Sequence, residues 1–133
     1  MKYILLILPI VVFSCHKIDD RLRVANISNE PIMYLRYFEN IETDSLIHRF
    51  REDILKKDVD PHYLYPNDTV RMMELYKWED LLSDDSLYIY FVRKQDFDIY
   101  ILNDKSMRLK ALKRTYTLKA LQDNNWLIIY DGN

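Results

Sequence analysis

From Arg21 the chain alternates polar and apolar positions through Arg21-Leu22-Arg23-Val24-Ala25-Asn26-Ile27. It halts at Asn29-Glu30-Pro31 and resumes in an extended style at Ile32-Met33-Tyr34-Leu35-Arg36-Tyr37-Phe38. A period of two belongs to a strand with one buried face, so the two runs read as a β-hairpin. Between residues 44 and 57 the period lengthens. Leu46, Ile47, Phe50, Ile54 and Leu55 fall on one helical stripe, with Arg49, Arg51, Glu52, Asp53, Lys56 and Lys57 opposite. That pattern predicts an amphipathic helix, capped by Thr43, Asp44 or Ser45, whose side-chain oxygens can accept from the unpaired N–H groups of its first turn. Residues 58 to 69 contain Pro61 and Pro66 and show no period, which predicts a loop. A strand at Val70 to Tyr76 and a short helical turn at Trp78 to Leu82 follow.

Leu87-Tyr88-Ile89-Tyr90-Phe91-Val92 is nearly all apolar or aromatic, the mark of a central strand covered on both faces. Asp98 to Leu102 suits another strand, and Lys105 to Leu112 reads equally as helix or loop. Toward the end, Tyr116 leads into a turn built around Leu118 and Leu121, and Asp123-Asn124-Asn125 breaks it. Trp126-Leu127-Ile128-Ile129-Tyr130 then forms a final strand with Trp126, Ile128 and Tyr130 on one face. Strands outnumber helices and no strand-helix alternation recurs. The predicted fold is mostly β: an antiparallel β-sandwich-like domain with one inserted amphipathic helix at about residues 44–57 and short helical turns.

Composition sharpens this in two ways. Hydrophobic residues at 49% and charged residues at 30% suit a folded domain and exclude both disorder and a multi-span membrane protein. Gly132 is the only glycine. Turns must therefore be made by Asn, Asp and Pro, as at Asn29-Glu30-Pro31, Pro66-Asn67-Asp68, Ser83-Asp84-Asp85 and Asn103-Asp104. Glycine-rich loops that close backbone N–H groups on a phosphate are excluded.

The N-terminus has its own pattern. Lys2 precedes the apolar run Ile4 to Phe13, then come the small Ser14 and Cys15, and the chain turns polar at His16-Lys17-Ile18-Asp19-Asp20. The run is about half the ~20 residues a spanning helix needs, and Pro9 weakens it as a helix, so it reads as a signal peptide over residues 1 to 14. Removing those 14 of 133 residues leaves 119, enough for one domain with a real core. It also removes Lys2, taking the formal charge from -2 to -3, far from the basic excess of a nucleic-acid binder.

Val12-Phe13-Ser14-Cys15 resembles the lipobox of bacterial lipoproteins, in which an apolar, a variable and a small residue precede the lipidated cysteine. That resemblance implies a thioether-linked diacylglyceryl group and an acylated amine on Cys15, more than one chain being what durable anchoring needs. His16, rather than an aspartate, after the cysteine implies sorting to the outer membrane. Lys17 to Asp20 is similar to the charged surface-export tags of Bacteroides-type lipoproteins, and equally to a solvated tether. The expected organisation is a signal peptide at 1–14, a lipidated tether at 15–20 and a single β-rich domain at 21–133.

Three further stretches carry a wider likeness: Asn26-Ile27-Ser28-Asn29-Glu30-Pro31-Ile32, Trp78 ahead of the apolar strand at Leu87, and Leu118-x-x-Leu121-x-x-x-Asn125-Trp126-x-Ile128-x-Tyr130. Together they resemble a group of small Bacteroides-type envelope lipoproteins of unknown function. The likeness implies a fold and an address, and brings no catalytic residues with it.

Candidate chemistry is sparse. His16, His48 and His62 are not paired at ligand spacing. Asp60, His62 and Asp68 share the proline-bearing loop, but without a second histidine or a cysteine they make a poor transition-metal set. Asp96 and Asp98 open like a calcium loop, yet Phe97, Ile99 and Tyr100 stand where oxygen ligands and a turn glycine are required. Glu39 with Glu42, and Asp84 with Asp85, lie too close in sequence to read as anything but solvated turns. Cys15, the only cysteine, cannot form an internal disulfide, and no nucleophile elbow is present. No catalytic, metal or cofactor residue is therefore assigned.

Tyr63 and Tyr65 are the candidate ligand contacts, because tyrosine offers area and a hydroxyl at low entropic cost. Trp78 and Trp126 are assigned to the core. The expected protein is a lipid-anchored, non-enzymatic binding or assembly module of the bacterial cell envelope. Its expected partners are the membrane, through lipid on Cys15, and another envelope protein or a glycan, and not nucleic acid. The alternatives are an envelope hydrolase whose site assembles only in the fold, and an inhibitor or immunity lipoprotein.

Overall fold

The computed structural model describes residues 17–55, 62–102 and 109–133. In chain order they form β1 (Arg23–Asn26), β2 (Ile32–Tyr37), α1 (Thr43–Leu55), β3 (Tyr63–Leu64), β4 (Thr69–Arg71), α2 (Trp78–Leu81) and β5 (Leu87–Arg93). Then come α3 (Lys94–Leu102), β6 (Leu112–Tyr116), α4 (Leu118–Asp123) and β7 (Leu127–Tyr130). The strands make two sheets, a smaller one ordered β4-β1-β7 and a larger one ordered β3-β2-β5-β6. The fold is mostly β and sandwich-like, as expected. Every pair in the larger sheet is antiparallel, as is β1 with β4, while β7 runs parallel to β1 with Val24 opposite Ile128.

Two apolar layers hold the molecule. The first lies between the sheets: Leu22, Val24, Met72, Ile128 and Tyr130 on one side meet Ile32, Leu64, Leu87, Ile89 and Phe91 on the other, with Trp78, Leu82 and Leu121 closing its margins. The second lies on the far face of the larger sheet, where Met33 and Val92 pack with Phe97 and Leu109, joined by Phe50 of α1 and by Tyr100 and Ile101 of α3. β5 is thus covered on both faces, which is why its sequence carries no polar alternation. Burial of this apolar area from water is the main favourable contribution to folding.

Several elements fall where the pattern places them: α1, whose Leu46 is buried, the helical turn at Trp78, the interior strand β5 and the last strand β7. Residues 56–61 and 103–108, including parts of the expected helix, loop and ambiguous stretch, lie outside the described residues. Asn67 and Asn125 adopt left-handed backbone angles, with φ of 65° and 52°, the role expected of asparagine in a chain so short of glycine.

Other expectations are corrected. The runs at 21–27 and 32–38 do not form a hairpin: β1 and β2 lie in different sheets and pair with other strands. Alternation reports that a strand has a buried face, not which strand lies beside it. Asp98 to Leu102 is not a strand but the end of α3. Phe97, Tyr100 and Ile101 share its buried face at helical spacing, and the ion pairs Arg93–Asp96 (2.6 Å) and Lys94–Asp98 brace its first turns. The inserted helix near residue 50 is accordingly not alone. The strand expected over 70–76 is short, being regular only at Thr69–Arg71, and the loop expected over 58–69 contains β3. β6, not anticipated as a strand, pairs along β5 from Leu87↔Tyr116 to Phe91↔Leu112.

The crossing from β1 to β2 is made by one buried amide. Asn26 is fully buried, and its Nδ2 donates to the carbonyls of Leu64 (2.9 Å) and Glu30 (2.8 Å). Its Oδ1 accepts from the Ser28 backbone N–H (3.0 Å) and from the Ser28 hydroxyl (2.7 Å). These bonds replace the ladder that a hairpin would have supplied. Asn26→Ala strands several buried groups at once and is expected to cost about 3 kcal/mol in urea unfolding. A loss under about 0.5 kcal/mol, the range of an ordinary surface change, would show the clamp to be dispensable.

Candidate functional site

Of the residues singled out in the sequence, Cys15, His16 and Asp60 lie outside the described residues. Tyr63 and Tyr65 are both described, and they differ. Tyr63 is half-buried against the second layer, and its hydroxyl donates to Asp98 Oδ1 at 3.1 Å while Lys94 Nζ lies 4.9 Å from its ring centroid. Burial, reinforced by the Asp98 carboxylate, pushes its hydroxyl up to about 12, so it stays protonated as a donor. Tyr65 is exposed by 51%, on the turn Pro66-Asn67-Asp68 that is fastened to β1 by Asn67 N–H to Asn26 C=O (2.8 Å). Exposed Ile27 adjoins the same fastening.

Asp96 and Asp98 are engaged by Arg93 and Lys94, and Glu39, Glu42, Asp84 and Asp85 are exposed. Among the described residues, no three His, Cys, Asp or Glu side chains gather as a metal site.

The most developed polar constellation was not anticipated. Asp19, expected on the tether, is buried and forms an antiparallel bridge with Glu74 through N–H to C=O contacts of 2.8 and 3.0 Å. Its carboxylate accepts from Arg21 at 2.6 and 2.9 Å and from the Trp78 backbone N–H at 3.2 Å, so it also satisfies the start of α2. Arg21 grips Glu79 as well, with contacts of 2.8 and 2.5 Å, and its guanidinium sits 4.4 Å from the centroid of the Trp126 ring. Trp126 itself has φ of 59°, an uncommon angle for so bulky a residue. It is held there by its N–H to Leu121 C=O (2.7 Å) and by Arg23 N–H to its own carbonyl (2.8 Å).

This clasp borders a depression of about 760 Å³ lined by Lys17, Ile18, Asp20, Lys77 and Asp80 together with the clasp residues. Arg21 holds Asp19 down at about 2 and lowers Glu79, and the two carboxylates in turn raise the guanidinium. Carboxylates so held stay ionised near neutrality, and their contacts with Arg21 join the N-terminal segment to α2.

Two further surface features stand out. Between the edges of β6 and β7 a depression of about 350 Å³ is lined by Arg114, Tyr116, Asn124, Leu127, Ile128 and Ile129. Arg114 spans it, donating to the carbonyls of Ile129 (2.8 Å) and Asn133 (2.6 Å) and to Asp131 (3.2 Å). Beside the clasp lies an apolar patch: Ile18, Met73, Leu75 and Tyr76 are exposed by 51%, 63%, 61% and 62%. Met72 is buried and Glu74 largely so, while Met73, Leu75 and Tyr76 around them stand open to solvent. The sequence signal was Met72-Met73-Glu74-Leu75-Tyr76, a largely apolar run that continues past the end of β4.

Compared with known proteins, the chain matches no protein-family model, no curated protein and no solved structure.

The clasp carries a pH dependence of definite sign. The Asp19 carboxyl lies below its ordinary 3.8 in the folded state, so its contribution is complete above about pH 4 and is lost as pH falls through about 2. The thermal midpoint of the native protein is expected to fall over that window more steeply than that of Asp19→Asn. Parallel curves for the two proteins would remove Asp19 from the account of acid sensitivity.

Proposed function

We propose that this chain is a lipid-anchored protein of a bacterial cell envelope, held at the outer membrane through lipid on Cys15. Its β-rich body serves as a non-enzymatic binding or assembly module. The observation that carries the reading is the order of residue types from Lys2 to Cys15: a cation, a short apolar run, a small residue and a cysteine, followed at once by polar chain. No helix among the described residues is long and apolar enough to cross a membrane.

Support for a contact role comes from Tyr65. It stands exposed at the start of a turn tied to β1 by hydrogen bonds, so an aromatic ring is presented on a braced backbone. A surface already ordered loses little conformational freedom on binding, which is the physical requirement of a contact site. The class of partner is another envelope protein or a glycan, since a tyrosine ring stacks on either. Tyr63, whose hydroxyl is engaged by Asp98, packs on the second apolar layer, and Tyr65 carries the contact surface.

Two measurements test the reading. Labelled fatty acid is expected to enter the wild-type chain, and Cys15→Ser is expected to lose both label and membrane association. Retention of the serine variant in the membrane fraction would overturn the anchor. A photo-crosslinking residue in place of Tyr65 is expected to capture a defined envelope component that the same residue in place of Lys119 does not. Equal capture at both positions would overturn the contact surface.

A further inference from the structure

The Asp19–Glu74 bridge fixes where the folded body begins, and Cys15 stands four residues earlier. Even fully extended, four residues reach at most about 14 Å. A body of this size measures roughly 30 Å across. If Cys15 carries lipid, as proposed above, only the face around residues 17–21 and 71–77 can lie at the bilayer surface. That is the face on which Ile18, Met73, Leu75 and Tyr76 are exposed. Ile18 and Leu75 are the chain neighbours of the bridged Asp19 and Glu74, so the exposed apolar side chains stand next to the chain that leads to the cysteine.

We propose that this patch is a membrane-docking surface, seated in the headgroup and acyl boundary of a phospholipid bilayer and setting the orientation of the body on it. The proposal rests on lipidation of Cys15. Its chemistry suits an interface: three aliphatic or thioether side chains enter the acyl margin, and Tyr76 supplies an apolar ring with a polar tip at headgroup level. Charge around the patch is balanced. Lys17 and Lys77 are exposed at its border, Asp20 is paired with Arg71 at 2.8 Å, and Glu79 is gripped by Arg21. Lys17 and Lys77 thus offset Asp80 and the one excess carboxylate of the Asp19–Arg21–Glu79 clasp, so the border is close to neutral and burial of the apolar side chains carries the docking. Among the described residues, α1 and α3 cover the second apolar layer on the far face of the larger sheet, where Ile99 and Leu102 are the exposed large apolar side chains of α3.

The test uses the full lipidated chain, reconstituted in vesicles of phosphatidylethanolamine and phosphatidylglycerol. Lipidation consumes the thiol of Cys15, so Leu75→Cys and Leu102→Cys each carry one reactive thiol for an environment-sensitive fluorophore. Both positions are exposed, and Leu102 lies on α3, across the larger sheet from the patch. Intact mass reports the lipid, and thermal midpoints confirm that both variants fold.

With lipid present, the Leu75 probe is expected to lose quenching by aqueous iodide, to shift to the blue and to be quenched by brominated acyl chains, while the Leu102 probe stays open to iodide. Equal iodide quenching at both positions on lipidated, vesicle-bound protein would overturn the docking and leave the anchor standing. A Leu75 probe shielded from iodide yet untouched by brominated lipid would overturn it in favour of a second protein copy on the patch. An intact mass without lipid would overturn the anchor and the docking with it.

Discussion

Asn26 is sealed from water at the point where the chain leaves one sheet for the other, and its amide takes over the pairing that the backbone gives up there. Both donors of the side chain reach carbonyls, of Leu64 and Glu30, and its oxygen accepts twice from Ser28. A hairpin would have kept β1 and β2 in one sheet. With the amide in place they become opposite walls of a single core, and Val24 and Ile32 both contribute to it. The buried crossing therefore decides the architecture, and the apolar layers follow from it. A buried polar group is tolerated only when its partners are complete, and here they are.

The smaller sheet needs help elsewhere, since its strands are only three or four residues long. Three arginines supply it at the open margins. Arg21 joins the N-terminal segment to α2, Arg36 joins the larger sheet to Glu74 and lies over the Trp78 ring, and Arg114 ties β6 to the end of β7. A guanidinium suits this work because its planar fork meets two acceptors at once and stacks on an aromatic face. Each ion pair at such half-exposed positions contributes modestly. Their shared consequence is geometric: segments distant in sequence are held where backbone pairing runs out.

This construction leaves the two outer faces unlike each other. Helices α1 and α3 cover the far side of the larger sheet, and β5 is buried on both faces as a result. Beyond the margin of the smaller sheet nothing comparable covers Met73, Leu75 and Tyr76 among the described residues. The asymmetry gives the proposed lipid anchor a physical counterpart, because the apolar side chains gather where the chain runs back to Cys15. Tyr65 stands exposed on a separate turn of the same body, so the proposed partner surface is apart from the proposed membrane contact.

How much could be read without the fold follows from the range of each signal. Local periodicity determined α1, the buried strand β5, the turn at Trp78 and the final strand, because each is decided by which neighbours along the chain share a face. The shortage of glycine determined that asparagine would take left-handed positions, as Asn67 and Asn125 do. The proposed address is likewise a matter of residue order over a few positions.

Tertiary structure alone decided the rest. Strand partnership at Asn26 depends on acceptors about forty residues away in Leu64. The helical state of α3 depends on Phe97 finding Met33 and Val92, and β6 is recruited by the free edge of β5. The clasp and the apolar patch beside it exist because Asp19 meets Glu74 and Trp78 in space. A chain records such meetings only as isolated residues, and their energy appears when folding brings them within contact distance.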